Sequence, residues 1–251
     1  MRTTAILNQK GGVGKTTTAH ALATGLTHRG YSVLLVDADP QGNLSDTMQA
    51  DPEQTGLYEA LKGAVPPPES IQQTEQGDII SSSIELAAAD MEFTSTGREY
   101  RLREVLDEVK QDYSHIVIDC PPSLGILTVN ALTAADDVII PVGADIYSLH
   151  GLRQLLSTIA KVRKYSNKGL SIAGLLITRK SNKAVATRQL IEAIEKQAGA
   201  LDIHLYRAII REGVAIREAQ IRQGSIFDTH PAAKVTADYA GLIDEYLAQE
   251  S

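Results

Sequence analysis

The sequence predicts an α/β fold: a mostly parallel, twisted sheet flanked by helices on both faces. Three observations predict it. Short apolar runs alternate with stretches of helical spacing along the chain. The apolar runs are continuous rather than alternating, as strands buried on both faces require. A glycine-rich turn directly follows the first run and opens the first helical stretch.

The elements follow in order. Residues 3–7 (TTAIL) are the first strand, and a helix is expected from Lys15 to about His28, where Gly30 stops it. Residues 32–36 (SVLLV) form a second strand ending at Asp37. Residues 43–75 read as helix and loop, interrupted by Pro66, Pro67 and Pro68. A short strand is expected at 78–81. A helix covers 98–110, with Leu102, Val105, Leu106 and Val109 on one face. Strands at 115–119 and 137–142, a helix at 149–165, a strand at 171–177 and a helix at 185–197 continue the alternation. A strand near 205–210 and helices near 214–222 and 234–249 complete it. With 251 residues, 43% of them hydrophobic, and no segment resembling a linker, a single domain spanning 1–251 is expected.

The turn Asn8-Gln9-Lys10-Gly11-Gly12-Val13-Gly14-Lys15-Thr16-Thr17 carries the strongest chemical signal. It stands between a strand and a helix, where a phosphate-binding loop belongs. Glycines let successive N–H groups curl inward toward phosphate oxygens, and the helix N-terminus adds positive potential. Lys15 would meet the β- and γ-phosphates, and the Thr16 hydroxyl would reach Mg²⁺. Two further strands end in carboxylates on the same sheet edge: Asp37-Ala38-Asp39-Pro40-Gln41-Gly42-Asn43 and Asp119-Cys120-Pro121-Pro122-Ser123. Ligands of open α/β sheets sit outside the carboxyl ends of the strands, so the three segments converge. Asp119 is placed to hold Mg²⁺ through water, and either Asp37 or Asp39 could position an attacking water; a helix-capping role is the alternative for both.

The loop lacks the leading glycine of the general pattern and has Gln9 there, followed by a second lysine, Lys10. Lys-Gly-Gly-Val-Gly-Lys-Thr resembles the deviant Walker A loop of the ParA/MinD group, and Asp-x-Asp-Pro-Gln-Gly-Asn resembles the ParA switch I. The likeness continues through Pro141-Val142, residues 148–156, Gly174–Thr178 and 207–227, nearly the full length. His150 departs from the Glu or Gln of many relatives. The resemblance implies a slow ATPase using ATP and Mg²⁺, cradled by Gly11, Gly12, Val13, Gly14, Lys15, Thr16 and Thr17. Asp39 would be the hydrolytic residue, and Asp37 would lie close to the metal. Lys10 would reach the nucleotide of a second copy across a sandwich homodimer. Thr178 and Arg179, at a strand end, would frame the adenine.

Charge bears on the partner. The formal net charge is -7, yet residues 1–150 hold 9 Lys+Arg against 21 Asp+Glu, and residues 151–251 hold 15 against 10. Residues 146–191 contain no acid and nine bases. Such asymmetry points to nucleic acid, to an anionic membrane or to a solvated face. The end of the chain, 244–251, is acidic and polar, unlike a basic amphipathic membrane anchor. The single cysteine, Cys120, excludes an intrachain disulfide and an ordinary iron–sulfur carrier. A metabolic ligase of the dethiobiotin-synthetase type would need neither Lys10 nor the acid-free stretch. By resemblance, the expected function is DNA partitioning with a ParB-type centromere-binding partner; the alternative is a MinD-like membrane-positioning ATPase. Lys180, Lys183, Arg188, Arg211, Arg217 and Arg222 are the candidate contacts to non-specific DNA, each with surface ion pairing as its alternative. Arg217 lies in a segment similar to one that supplies a DNA-binding arginine in ParA, whereas Ile210-Arg211 replaces the Pro-Arg of relatives. No signal peptide, spanning segment or N-terminal helix-turn-helix is read from the sequence, so a cytoplasmic, nucleoid-associated location is expected.

Overall fold

The computed structural model describes residues 1–143, 150–180 and 184–250. Eight strands are present: β1 (Arg2–Ile6), β2 (Val33–Asp37), β3 (Ile71–Thr74), β4 (Gly77–Ile80), β5 (His115–Asp119), β6 (Asp137–Gly143), β7 (Ser171–Lys180) and β8 (Leu205–Arg211). They form one sheet in the order β3-β4-β2-β5-β1-β6-β7-β8. Every neighbouring pair is parallel except β3 with β4. The α-helices are α1 (Lys15–Thr27), α2 (Asn43–Thr47), α3 (Leu57–Lys62), α4 (Ala89–Glu92), α5 (Arg101–Val109) and α6 (Ile126–Ala134). They continue with α7 (His150–Tyr165), α8 (Ala184–Ala200), α9 (Val214–Ile221), α10 (Ile226–Thr229) and α11 (Lys234–Ala248).

Two apolar layers cover the sheet, and successive strand residues feed them alternately. Leu34 and Val36 of β2, with Ile116 and Ile118 of β5, face α5, α6 and α7. Val33, Leu35 and Val117 face α1 and α11. Both faces are dry, which explains why these strands read as unbroken apolar runs. Helix α11 buries Val235, Tyr239, Leu242, Ile243 and Tyr246, so its apolar face is committed to the core.

β3 and the helices α4, α6 and α10 depart from the sequence reading. Residues 71–74, expected within helix and loop, form β3, an antiparallel edge strand. The four-residue strand is too short for its alternation to register. Helix α6 was not anticipated: seven of its nine residues are buried, leaving no polar face to generate a 3.6-residue period. Among the described residues no helix is long and apolar enough to cross a membrane.

Candidate functional site

The loop between β1 and α1 is built by backbone geometry and pinned from three sides. Gly12 and Gly14 have φ of 71° and 85°, left-handed values that exact a steric penalty from other residues. Asn8 Nδ2 donates to Pro141 O at 2.6 Å, and Asn8 Oδ1 accepts from Lys10 N at 2.9 Å. Thr178 Oγ1 donates to Val13 O at 2.8 Å, and Arg179 Nη1 to Gly12 O at 2.9 Å. The buried Lys15 folds back so that Nζ donates to Lys10 O at 3.4 Å. This leaves the loop's N–H groups and the start of α1 facing a cavity of about 660 Å³. Gly11, Gly12, Gly14, Lys15, Thr16, Thr17 and Asp39 line it. Val13 is buried beneath the loop.

The carboxylates arrive at the ends of adjacent strands. Asp37 and Asp119 are register partners in the β2–β5 pair, and Asp119 also pairs with Ile6, where the loop begins. Asp37 is fully buried; its Oδ2 accepts from Ser45 N and Ser45 Oγ, both at 2.8 Å, and its Oδ1 from Asp39 N at 3.2 Å. Burial pushes its carboxyl up to about 6, and the Ser45 and Asp39 donors partly offset this. Asp119 is held well above the usual carboxylate range by burial first and by the Asp37 charge second, with Thr16 and Lys15 pulling the other way. Asp39 remains on the cavity wall and accepts from Gln41 N at 3.1 Å.

By distance and angle neither buried Asp119 oxygen has a hydrogen-bond partner among the described residues, although the Thr16 hydroxyl stands near enough to favour the charged form. Such orphaned acceptors are costly unless a cation or ordered water meets them. Among the described residues no three His, Cys, Asp or Glu side chains are arranged to ligate a metal directly. The Thr16 hydroxyl and the Asp37 and Asp119 carboxylates are an all-oxygen set, which fits Mg²⁺, an ion that keeps much of its water and takes one or two protein oxygens plus phosphate. Thr16 lines the cavity, and Asp119 and Asp37 stand side by side at the strand ends.

A second cavity of about 400 Å³ shares Gly12, Gly14, Thr17 and Gln220 with the first. Thr178, Arg179, Ile216 and Tyr239 contribute to its walls. Thr178 and Arg179 lie inside β7, which runs on to Lys180, rather than after a strand ending at 177. Their side chains brace the loop carbonyls while lining this recess. Arg179 has a left-handed φ of 54°, uncommon for a non-glycine residue.

Several lining residues were not singled out from the sequence. Gln41 and Asn43 belonged to the recognised switch segment, and Pro122 to the Cys-Pro-Pro run. Gln220 and Gln223 carried no local signal, yet both reach the phosphate cavity. A glutamine clasp ties this end of α9 to α2. Gln223 Nε2 donates to Asp46 O at 2.9 Å, and Gln49 Nε2 to Gln223 O at 3.0 Å. Gln76 Nε2 donates to Thr47 O at 2.8 Å and Gln223 O at 3.1 Å, while Gln76 Oε1 accepts from His20 Nε2 at 2.9 Å.

The candidate DNA contacts divide. Lys183 lies outside the described residues, and Arg188 is placed only as a position on α8. Arg211 is engaged internally: Nε and Nη2 donate to the two Asp238 oxygens, each at 2.6 Å. Lys180, Arg217 and Arg222 are exposed and form no ion pair among the described residues. The acid-free stretch divides: Arg179, at the end of β7, lines one cavity with Arg211 and Arg217, whereas the bases of α7 lie apart from the α9 arginines. Helix α7, with exposed Arg153, Lys161, Arg163 and Lys164, packs on one face of the sheet, and α9 packs on the other.

A parallel sheet with a glycine-rich loop at one strand end and carboxylates at two others defines a phosphate-loop nucleotide-binding protein. A family model described as an AAA domain matches residues 1–172. The chain is 42% identical over 250 residues to the sporulation initiation inhibitor protein Soj of Bacillus subtilis, covering 97% of each. It is 40% identical over 226 residues to the chromosome partitioning protein ParA of Caulobacter vibrioides, covering 87% of this chain and 84% of that one. A solved structure of cobyrinic acid a,c-diamide synthase from Mycobacterium smegmatis with bound ADP and magnesium superposes with a TM-score of 0.87 at 32% identity, covering 100% of this chain and 95% of that one. The McdA(D38A)–ATP complex of Cyanothece, at 24% identity and TM-score 0.88, covers 99% and 96% and shares the fold. The chain belongs to the ParA/Soj family of the ParA/MinD superfamily.

Proposed function

We propose that this chain is a ParA-type partitioning ATPase that hydrolyses ATP with Mg²⁺ and binds DNA in its ATP-bound form. The observation that carries the reading is the convergence of Lys15, Thr16, Asp39 and the orphaned Asp119 carboxylate around the loop. Relatives named Soj and ParA, matched over most of their length, support the partitioning role. The metabolic name of one structural neighbour, at 32% identity, carries less weight than 42% identity to Soj.

The loop N–H groups and Lys15 hold the β- and γ-phosphates. Bound Mg²⁺ would neutralise phosphate charge as the leaving oxygen develops its own. Asp39 orients a water for in-line attack: a water oxygen–phosphorus bond forms, the bond to the β-phosphate oxygen breaks, and ADP leaves with phosphate. Ser45 fixes the Asp37 carboxylate through two hydrogen bonds to Oδ2. Lys10 acts across a homodimer on the partner copy's phosphates, as an arginine finger does. Turnover is slow until a ParB-type protein stimulates it. The dimer binds DNA through phosphate contacts without sequence preference, and so resides on the nucleoid. The apolar face of α11 is buried in the core, so α11 itself offers no apolar face to a membrane.

Steady-state hydrolysis with Mg²⁺ tests the site. Wild type should turn over ATP. Lys15→Ala should lose turnover, and Lys10→Ala should bind nucleotide yet fail to hydrolyse it. Lys15→Ala turning over like wild type would overturn the assignment.

A further inference from the structure

The loop from Asp119 to Gly125 joins the end of β5 to α6 and passes the phosphate cavity at Pro122. Its near end is fixed by the sheet: Ala38 N donates to Asp119 O at 2.9 Å, and Cys120 N to Ile6 O at 3.2 Å. Pro121 and Pro122 have no N–H to donate. The far end has a different problem. The cap of α6 is Gly125, which has no side chain, and its first turn contains no acid. The start of the helix therefore lacks a local acceptor for its free N–H groups.

The acceptor comes from elsewhere in the chain. Asp90, in α4, accepts from Ile126 N through Oδ1 at 2.6 Å. A Cβ added at Gly125 would lie 2.4 Å from Asp90 Oδ2 and 2.8 Å from Oδ1. The carboxylate thus sits flat against the Gly125–Ile126 backbone, and only glycine leaves room for it. Its negative charge faces the positive end of α6. Thr128 Oγ1 adds a second tie, donating to Ser123 O at 2.6 Å. Asp90 itself is exposed and does not line the phosphate cavity.

We propose that Asp90 is a positioning residue for the hydrolysis: by pinning Gly125–Ile126 it fixes where the Asp119–Gly125 loop stands against the phosphates. The proposal rests on the ATPase reading above. Because Asp90 is exposed, truncating it opens no buried cavity, and the variant should fold with a near-native melting curve.

The test compares kcat, KM for ATP and ADP affinity in four variants: Asp90→Ala, Asp90→Asn, Gly125→Ala and the double Gly125→Ala/Asp90→Ala. Asp90→Ala should lower kcat tenfold or more while KM and ADP affinity move less than twofold. Asp90→Asn keeps an acceptor for Ile126 N–H and should stay within threefold of wild type. Gly125→Ala should lose at least as much as Asp90→Ala. The double variant should be no worse than Gly125→Ala, because the carboxylate its methyl would strike is gone. Wild-type kcat in Asp90→Ala, equal losses in the Ala and Asn variants, or additive losses in the double variant would overturn the proposal. If wild type itself fails to hydrolyse ATP, the ATPase reading falls and this one with it. If wild type hydrolyses and Asp90→Ala matches it, only the positioning role falls.

Discussion

Replacing Arg217 with alanine should change how DNA binding depends on salt by a calculable amount. Lys180, Arg217 and Arg222 are exposed and unpaired among the described residues, whereas Arg211 is held by Asp238. Three contacts per subunit give six per ATP-bound dimer. At ~0.9 counterion per phosphate contact, the log–log slope of affinity against salt should be about -5. Between 50 and 200 mM salt that is a loss of roughly 10³-fold. Arg217→Ala removes two contacts per dimer, so the slope should fall to about -3.6 and the loss to roughly 150-fold. The weakening should be alike on all sequences, because phosphate contacts carry no base information. Arg211→Ala should leave the slope unchanged. Filter binding on two unrelated duplexes at four salt concentrations, with saturating ATP, measures these slopes. An unchanged slope in Arg217→Ala, or a reduced one in Arg211→Ala, would refute the assignment.

Two other perturbations probe the site and its surroundings. Asp39→Ala should still bind ATP with Mg²⁺, since Lys15, Thr16 and the loop amides remain, and should accumulate as a dimer; a sizing column with ATP checks this, and a variant that stays monomeric counts against it. Burial pushes His20 down to about 4, below its unfolded value of 6.5. The unfolded chain therefore takes up the proton first, and the His20 contribution is intact above about pH 6.5 and lost as pH falls toward 4. Between pH 7 and 5 this is about 2 kcal/mol, which urea unfolding should find in wild type but not in His20→Gln.

Much of the site was legible because its parts are contiguous in sequence and adjacent to strand ends. The loop at 10–17 sits between an apolar run and a helix, and Asp37 and Asp119 each close a buried strand. Parallel register then sets the two carboxylates side by side. What stayed hidden depends on tertiary approach. Ser45 holds Asp37 across a turn, and Gln220 and Gln223 reach the phosphate cavity from a helix far along the chain. Arg211 looked free because Asp238 lies 27 residues later. The acid-free stretch looked like one patch with the α9 arginines, but α7 carries its bases to the opposite layer, and only the end of β7 stays beside α9. Helix α6 was invisible because burial on nearly all sides erases its period.

Nucleotide in the loop cavity should switch this chain onto DNA. The most direct measurement is retention of DNA of unrelated sequence by the full chain with ATP, with ADP and with no nucleotide, beside co-sedimentation with anionic liposomes under the same conditions. DNA binding should appear with ATP, with little under ADP or without nucleotide and no enrichment on liposomes. Binding that ignores the nucleotide, or an ATP form that ignores DNA and sediments with liposomes, would contradict this switch.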